Sequence, residues 1–445
     1  MSMDVLFISP PSPKPTSWAF FQNVGSRPLL GIGYIMAVLE TRKYTTDVLN
    51  CYLGIRDVNA FRRRIRQSDP KIVGITCSTD TYKNALLLAK IIKQLNQDIQ
   101  IVVGGPHVTF TDRDTLKHDC IDYVVRHEGE FSMLELADCI IRGEGDIQKI
   151  HGISYRIGDK IVRNPSRKLI GNLDSLPVPK RIASNGNMQT PDYVGIISSR
   201  GCPGRCIFCS AGAMSGGQYR MRSATHVFDE ILYYYKKNIY SFKFYDDTLT
   251  ADINRLNTLC DLMGRIHLHW SAESRVDVVS EDKAIFRKMS KAGCQSLQFG
   301  IESGSDRMLD KIQKGITRSQ IEEAVSLASR EDIRIFGSMI IGHPEDTFES
   351  VRETIQFGLY LQSKYEAGII FGIATPFPGT FMMKESNRLG IRILTRDYNQ
   401  YNFSNPVISG RYLTDVDRRN LLYEACYELM QGMPMHWRKL WKATL

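Results

Sequence analysis

Three cysteines on one short loop are the residues of this chain best suited to bind a metal cofactor. Cys202, Cys206 and Cys209 lie in the run Arg200-Gly-Cys-Pro-Gly-Arg-Cys-Ile-Phe-Cys-Ser210, directly after the apolar stretch 193–199, which is typical of a buried strand. Three thiolates on one tight loop can bind three corners of an iron–sulfur cubane. No fourth cysteine is nearby, so one iron would stay open for a substrate or cofactor. The pattern predicts a reactive cluster, and hence an enzyme.

Two other interpretations of these cysteines remain open at this point. They could bind zinc, with His226 as a distant fourth ligand. They could also be small buried core residues. The spacing, the glycines of the loop and its position after a strand favour the cluster.

Length and charge limit the class of protein. The 445 residues suffice for two or three domains, and the net charge of +9 comes from 57 basic against 48 acidic residues spread along the chain. The arginines between Arg62 and Arg66 indicate a solvated helix face, so we expect no nucleic-acid partner. No apolar run approaches the ~18 residues of a membrane span. With no signal sequence and ten cysteines that form no disulfide framework, we expect a reducing cytoplasmic location.

The first 150 residues alternate strand and helix patterns. Strands are predicted over 3–9, 71–76, 99–103 and 123–125, with helices over 29–40, over 82–95 and up to 141. Units of this length predict an α/β fold with a doubly wound, Rossmann-like parallel sheet. Ligands of such sheets bind beyond the carboxyl ends of the strands.

The rest of the chain predicts a second α/β domain. A hairpin and linker over 151–192 lead to six strand patterns that alternate with helices, at 194–199, 241–245, 268–272, 296–300, 335–341 and 368–374. Six such repeats predict a partial (βα)6 barrel of the TIM type with its chemistry at the strand carboxyl ends. We expect domains at 1–150 and 193–385. A small, mostly helical cap over the barrel mouth is expected at 386–445.

The spacing of the three cysteines, with Phe208 just before the last one, resembles radical S-adenosylmethionine (SAM) enzymes. The resemblance implies a [4Fe-4S] cluster whose open iron binds the amino and carboxylate groups of SAM. Reduction of the cluster would then cleave SAM to a 5'-deoxyadenosyl radical.

The resemblance extends over the whole predicted barrel and implies a SAM site. The motif residues it assigns to SAM are Phe208, Asp246, Asp247, Glu273, Arg275, Glu302, Ser303, Ile340 and Ile341. Each motif also has a structural alternative, namely a helix N-cap for the two aspartates, an ion pair at Arg275 and core packing for the two isoleucines. Gly300 and Gly304 flank the glutamate and would let the backbone approach the ligand closely.

The first domain resembles the cobalamin-binding domain fused ahead of many radical SAM enzymes. The resemblance assigns the cobalamin site to Pro10, Pro11, Leu30, Gly31, Tyr34, Ser78, Thr79, Gly104, Gly105, His107, Glu128 and Gly129. No histidine has an aspartate two positions before it, so the cobalt-ligating motif of methionine synthase is absent. The lower ligand of cobalt stays unassigned, and His107 is expected to be a loop or helix-start residue more than a cobalt ligand.

These resemblances imply a cobalamin-dependent radical SAM methyltransferase that methylates an unactivated carbon. A cyclase, ring-contracting or oxidising enzyme with the same cofactors is the first alternative. A tRNA methylthiotransferase and a non-catalytic cobalamin sensor are weaker ones. We expect a small-molecule or peptide substrate, a reductant such as flavodoxin or ferredoxin, no membrane span and a monomer. No general base or other catalytic side chain is assigned.

Overall fold

The computed structural model describes residues 3–12, 29–51, 57–181, 193–280 and 282–432. These residues form two compact units, the first comprising the described residues up to 181 and the second those from 193 onwards. No helix of the described residues is long and apolar enough to cross a bilayer.

The first unit is built on a seven-stranded sheet in the order β2-β1-β3-β4-β5-β6-β7. The strands of this sheet are β1 (Val5–Ser9), β2 (Thr46–Asn50), β3 (Ile72–Thr76), β4 (Gln100–Gly104), β5 (Tyr123–Val125), β6 (Ile153–Ile157) and β7 (Lys160–Arg163). Strands β1 to β5 run parallel to one another. Strand β6 pairs antiparallel with β5, and β7 pairs antiparallel with β6. The strand order reverses at β1, and this is the point where open α/β sheets bind ligands.

Five α-helices connect these strands. They are α1 (Leu30–Thr41), α2 (Val58–Ser68), α3 (Tyr82–Leu95), α4 (Pro106–Thr115) and α5 (Glu130–Ala137). Helices α1 and α5 share one hydrophobic cluster with side chains of the sheet such as Phe7 and Val102. The parallel α/β fold predicted for this part of the chain is confirmed.

Two elements of this unit differ from the sequence prediction. Strand β2 was not predicted, because only its central Val48 is buried and the other four residues are polar or half-buried at the sheet edge. The predicted hairpin is present as β6 and β7, and it extends the first sheet instead of forming a separate linker.

The second unit contains six parallel strands in chain order. They are β8 (Val194–Ile196), β11 (Ser241–Phe244), β12 (His269–Ser274), β13 (Cys294–Glu302), β14 (Arg334–Ile341) and β15 (Gly368–Ile373). A short antiparallel pair, β9 (Ser199–Arg200) and β10 (Arg220–Met221), flanks the cysteine loop. Six sequential parallel strands match the predicted partial barrel.

Helices cover one face of this sheet. After the short α6 (Ala211–Met214), which follows the cysteine loop, the covering helices are α7 (Ala224–Tyr235), α8 (Ile253–Met263), α9 (Ile285–Lys291), α10 (Asp306–Lys311), α11 (Arg318–Arg330) and α12 (Phe348–Tyr365). Alternate strand residues such as Phe242, Phe299 and Met339 pack into the core shared with these helices. Because strand side chains alternate, Glu273 and Ser338 point to the opposite face.

The C-terminal segment divides into two parts and only partly matches the predicted cap. It holds α13 (Phe381–Lys384), the hairpin of β16 (Ile391–Ile393) and β17 (Ile408–Gly410), and α14 (Asp415–Gly432). Leu421 and Leu429 place α14 in the core between sheet and helices. The expectation that the helix covers the barrel mouth is therefore wrong. The hairpin shares a cluster with Ile340 and Ala374 near the strand carboxyl ends.

Candidate functional site

The cysteine loop is held at the carboxyl ends of the barrel strands by backbone hydrogen bonds. The amide of Ile207 donates to the carbonyl of Ile312 at 3.1 Å, and the carbonyl of Ile207 accepts from the amide of Met382 at 2.9 Å. Asp247 accepts a bond of 3.0 Å from the amide of Gly201, one residue before the first cysteine. These contacts come from three different parts of the barrel, so they fix the loop relative to the strand ends.

The three thiols lie near enough to one another for a charge on one to act on the others. Backbone amides donate to two of the sulfurs, from Gly204 to Cys202 at 3.4 Å and from Ala211 to Cys209 at 3.5 Å. Such donors stabilise cluster-bound thiolates. Cys209 is the most accessible of the three, yet desolvation by the surrounding protein raises the pKa of its thiol to about 12. Iron must therefore displace protons when it binds. The loop fits a thiolate-bound cluster.

The zinc interpretation finds no support in the described residues. Among them, no three His, Cys, Asp or Glu side chains converge on a point that could hold a single metal ion. His226, the candidate fourth ligand, lies in α7, where its Nδ1 accepts a hydrogen bond of 3.1 Å from Nε of Arg222.

Arg275 follows β12 and faces the cysteine loop. A Cβ atom added to Gly204 would lie 2.9 Å from Arg275 Nη1, 3.3 Å from the sulfur of Cys202 and 3.7 Å from that of Cys206. Asp277 accepts two bonds from the guanidinium at 3.0 and 2.8 Å, and this pairing orients it. The ion pair given as the structural alternative at Arg275 is present, with Asp277 as its acid.

Glu302 ends β13 in a left-handed backbone conformation, with φ of 67°, at a point where the strand register shifts. Its carboxylate is buried and accepts a hydrogen bond of 2.9 Å from Nζ of Lys314. A strained backbone conformation at a charged residue is typical of functional sites. Sequence reasoning missed Lys314, and no local signal marks it, because its partner lies twelve residues earlier on another element.

Phe208 and Ile340, both assigned to SAM, lie in the same region of the structure. Both belong to one hydrophobic cluster at the strand carboxyl ends, which also contains Phe377 and Tyr401. Ile341 points to the other face of β14 and lies in the core between sheet and helices. The side chain of Ile341 therefore does not reach the cluster around Phe208, and its assignment to the SAM site is wrong.

His343 also belongs to this region and was not assigned to the site. Its ring packs on Phe208 with the ring centroids 5.4 Å apart. The side chain is fully buried, and neither nitrogen has a hydrogen-bond partner among the described residues. Burial lowers the pKa of the imidazole to about 3, so it is neutral at physiological pH.

Two further residues assigned to SAM, Asp246 and Ser303, make hydrogen bonds within the fold, and their assignment to SAM stays a prediction. Asp246 accepts bonds from the amide and the hydroxyl of Ser198 and from the hydroxyl of Ser199. Ser303 shares a hydrogen bond of 2.9 Å with Thr354 of α12. Both are almost completely buried.

The two glycines near Glu302 differ in role. A Cβ on Gly300 would meet Glu302 Oε1 at 2.6 Å and Lys314 Nζ at 2.7 Å, so its absence makes room for the ion pair. A Cβ on Gly304 would lie 2.6 Å from the Cβ of Phe357 in α12. Gly304 therefore serves helix packing, and the expectation that it approaches SAM is wrong. Two SAM candidates remain. Asp247 is exposed beside the cysteine loop, and Glu273 lies on the face of β12 opposite the core.

In the first unit, the residues assigned to cobalamin lie at or just beyond the carboxyl ends of the strands or in the first turns of α1. They are Pro10 and Pro11 after β1, Ser78 and Thr79 after β3, Gly104 and Gly105 at the end of β4, Glu128 and Gly129 after β5, and Leu30, Gly31 and Tyr34 in α1. Gly31 has no atom within 4 Å of an added Cβ, and Gly104 none within 3.6 Å. This open backbone fits the approach of a bulky ligand at the sheet edge.

Several side chains of this edge are held by the protein itself. His107 lies in the first turn of α4, almost fully buried, with Nδ1 3.2 Å from the hydroxyl of Thr79 and its ring against Tyr82. This position agrees with the expectation of a helix-start residue, and the assignment of His107 to cobalamin stays a prediction. The hydroxyl of Ser78 donates to Asp80, and Glu128 accepts from the amide of Ile170. Gly105 adopts φ of 110°, and a Cβ there would meet the carbonyl of Cys77 at 2.7 Å.

Comparison with known proteins agrees with both units. The family model described as the B12 binding domain matches residues 25–146, and that of the radical SAM superfamily matches residues 196–358.

Two curated relatives align along most of the chain. An uncharacterized methyltransferase of Pyrococcus horikoshii, PH0819, is 34% identical over 95% of this chain and 91% of its own length. The anaerobic magnesium-protoporphyrin IX monomethyl ester cyclase of Rubrivivax gelatinosus is 28% identical over 86% of this chain and 70% of its own.

A solved structure shares the fold. The radical SAM methyltransferase TsrM from Kitasatospora setae, with cobalamin and a [4Fe-4S] cluster bound, superposes with a TM-score of 0.73 at 17% identity and covers 98% of this chain and 90% of that one. With both domain families matched and a methyltransferase relative 34% identical over nearly its whole length, this chain belongs to the cobalamin-dependent radical SAM enzymes of the methyltransferase type.

Proposed function

We propose that this enzyme transfers a methyl group to an unactivated carbon of a small molecule or peptide. The observation that carries the proposal is the combination, in one chain, of a B12-binding unit with a barrel whose cysteine loop faces Arg275 and the Glu302–Lys314 pair. When bound, the cluster supplies the electron that cleaves SAM, and cobalamin carries the methyl group.

We assign the SAM site to the residues that remain available at the strand ends. Arg275 presents Nη1 toward the cysteine loop while Asp277 holds its other nitrogens, so it is oriented to bind a carboxylate. Glu302 offers a carboxylate for ribose hydroxyls, and Phe208 with Ile340 forms an apolar wall for a base. Asp247 and Glu273 are the polar candidates at the edge of this site.

We assign the cobalamin site to the open carboxyl edge of the first sheet, around Gly31 and Gly104 with Pro11 and Ser78. A matched pair of variants tests this site. Gly31→Trp places a large side chain in open space and should abolish cobalamin retention. Gly158→Trp lies in the β6–β7 turn with equal space but a φ of 55°, so it costs some stability and should leave cobalamin retention unchanged. Equal cobalamin content in both variants, read from the absorption spectrum, would contradict the assignment.

The decisive experiment is anaerobic turnover with SAM, cobalamin and a reductant on candidate substrates from neighbouring genes. Methyl transfer predicts a product heavier by one CH2 unit, with S-adenosylhomocysteine and 5'-deoxyadenosine both accumulating. Absence of S-adenosylhomocysteine, or an unmethylated product, would overturn the proposal.

A cyclase is the second candidate, favoured by the 28% identity to the Rubrivivax enzyme over 86% of the chain. The same experiment separates the two reactions, because ring formation removes hydrogens from the substrate and adds no carbon.

The setting of the reaction is also a proposal. We propose that the enzyme works in the cytoplasm as a monomer, receives electrons from a flavodoxin or ferredoxin and has no nucleic-acid partner. The reducing location is supported by the ten cysteines, all of which are free thiols in the structure.

A further inference from the structure

A buried ion pair lies at the carboxyl end of β13. Nζ of Lys314 is 2.9 Å from Oε1 of Glu302, and the two side chains are only 7% and 8% exposed. Burying two charges is costly, so the pair by itself is weak evidence of a contribution to stability. The absence of a side chain on Gly300 is what allows the pair to form.

The pair is connected to the cysteine loop. Nη2 of Arg275 donates to the carbonyl of Lys314 at 2.8 Å, and Nη1 of the same guanidinium faces the sulfurs of Cys202 and Cys206. The neighbouring Ile312 accepts the backbone hydrogen bond of Ile207. The segment carrying Lys314 is therefore positioned by the loop that would hold the cluster.

The two charges of the pair act on this loop in opposite senses. The pair is joined to the loop through Arg275, so its ammonium favours added negative charge there and its carboxylate opposes it. Lys314 keeps its positive charge because its ammonium donates to the buried carboxylate of Glu302 at 2.9 Å. Lys314 thus places a permanent positive charge beside the loop.

We propose that Lys314 is a positioning residue that balances the charge of Glu302 beside the cluster and so keeps the cluster reducible. A glutamate suited to a ribose would otherwise leave an uncompensated negative charge there, and negative charge near a cluster disfavours the added electron. The inference rests on the cluster at the three cysteines and is independent of methyl transfer.

The test is the midpoint potential of the cluster in the anaerobically reconstituted full chain, followed by electron paramagnetic resonance without SAM or substrate. Lys314→Met should lower the potential and Glu302→Gln should raise it, each by at least about a tenfold change in the ratio of reduced to oxidised cluster, or ~59 mV for one electron. The double variant should return close to the wild-type value, and Lys314→Arg should keep it.

Lys311 provides a matched control. It lies three residues earlier, is half exposed and pairs with Glu345 at 3.2 Å, so Lys311→Met should not change the potential. A purely structural role for Lys314 would shift the midpoint potentials of the single and double variants in the same direction. That result would overturn the proposal, and so would an unchanged midpoint potential in Lys314→Met. If Lys314→Met does not retain its cluster, the Glu302→Gln variant alone tests the proposal. A midpoint potential of Glu302→Gln that does not rise above wild type would contradict the proposed charge balance.

Because no substrate is present, failure of this test is distinct from failure of methyl transfer. If the wild-type protein retains its cluster but makes no methylated product, the proposed function is wrong and the proposed role of Lys314 is unaffected.

Discussion

Asp246 accepts hydrogen bonds from both the amide and the hydroxyl of Ser198, at 2.7 and 2.5 Å. It is 2% exposed, and Arg255 lies 3.9 Å from the same carboxylate. The aspartate next to it in the sequence, Asp247, is exposed at the cysteine loop. Two adjacent carboxylates therefore bind different parts of the chain, because Asp246 holds Ser198 and Ser199 in the interior and Asp247 accepts from Gly201 beside the cysteine loop.

This difference in burial predicts unequal effects of the two neighbouring substitutions on stability. Asp246→Ala leaves buried donors and Arg255 without their acceptor, so the free energy of unfolding should fall by about 3 kcal/mol. Asp247→Asn should leave stability within about 0.5 kcal/mol of wild type. Denaturant unfolding of both variants measures this, and equal destabilisation would show that the two residues share one role.

Replacing Cys202, Cys206 or Cys209 by alanine should reduce iron and inorganic sulfide to background after anaerobic reconstitution, because a cubane bound by two thiolates is not retained. Cys139→Ala is the matched control, since this thiol lies in the first unit and should leave the iron content unchanged. Full iron in a cluster-loop variant would contradict the assignment.

Two glycine substitutions near Glu302 should have different consequences. Gly304→Ala would bring a Cβ within 2.8 Å of the carbonyl of Glu353, which the backbone of α12 cannot avoid, so stability should fall by about 2 kcal/mol. Gly300→Ala meets only the ends of two side chains and should mainly weaken SAM binding. Melting temperature and equilibrium SAM binding separate these effects. A Gly300→Ala variant that melts early and binds SAM normally would reverse the interpretation.

Stability should decrease in mild acid because of His107. Burial lowers the pKa of its imidazole from 6.5 to about 3. The unfolded chain therefore takes up a proton below about pH 6.5 that the folded protein refuses, and folding stability falls as the pH drops through this window. His107→Phe keeps a ring against Tyr82 and removes the titration.

The measurement compares urea midpoints at about pH 7.5 and about pH 5.5. The difference between the two should be smaller in His107→Phe than in wild type, whatever the effect of the substitution on absolute stability. An unchanged difference would show that His107 does not contribute to the acid sensitivity.

Much of the fold could be predicted from the sequence because its patterns are local. The parallel strands of both sheets repeat apolar residues at strand spacing. Arg275 directly follows a strand, and the cysteines and Phe208 lie within nine residues of a strand end. Strand β2 could not be predicted, because an edge strand with only Val48 buried shows no alternation of apolar and polar residues. The helix α14 was placed over the barrel mouth because its sequence does not reveal which surface its leucines meet.

What the sequence determined by itself is the type of cofactor chemistry, since the spacing of three thiolates and the order of strands and helices are properties of neighbouring residues. Tertiary structure alone decided which side chains reach the site. Asp246, Ser303 and Ile341 belong to motifs but point into the protein, whereas Lys314 belongs to no recognised motif and meets Glu302. The reason is physical. The direction of a side chain and its burial depend on packing between elements distant in sequence, and no pattern of neighbours encodes that.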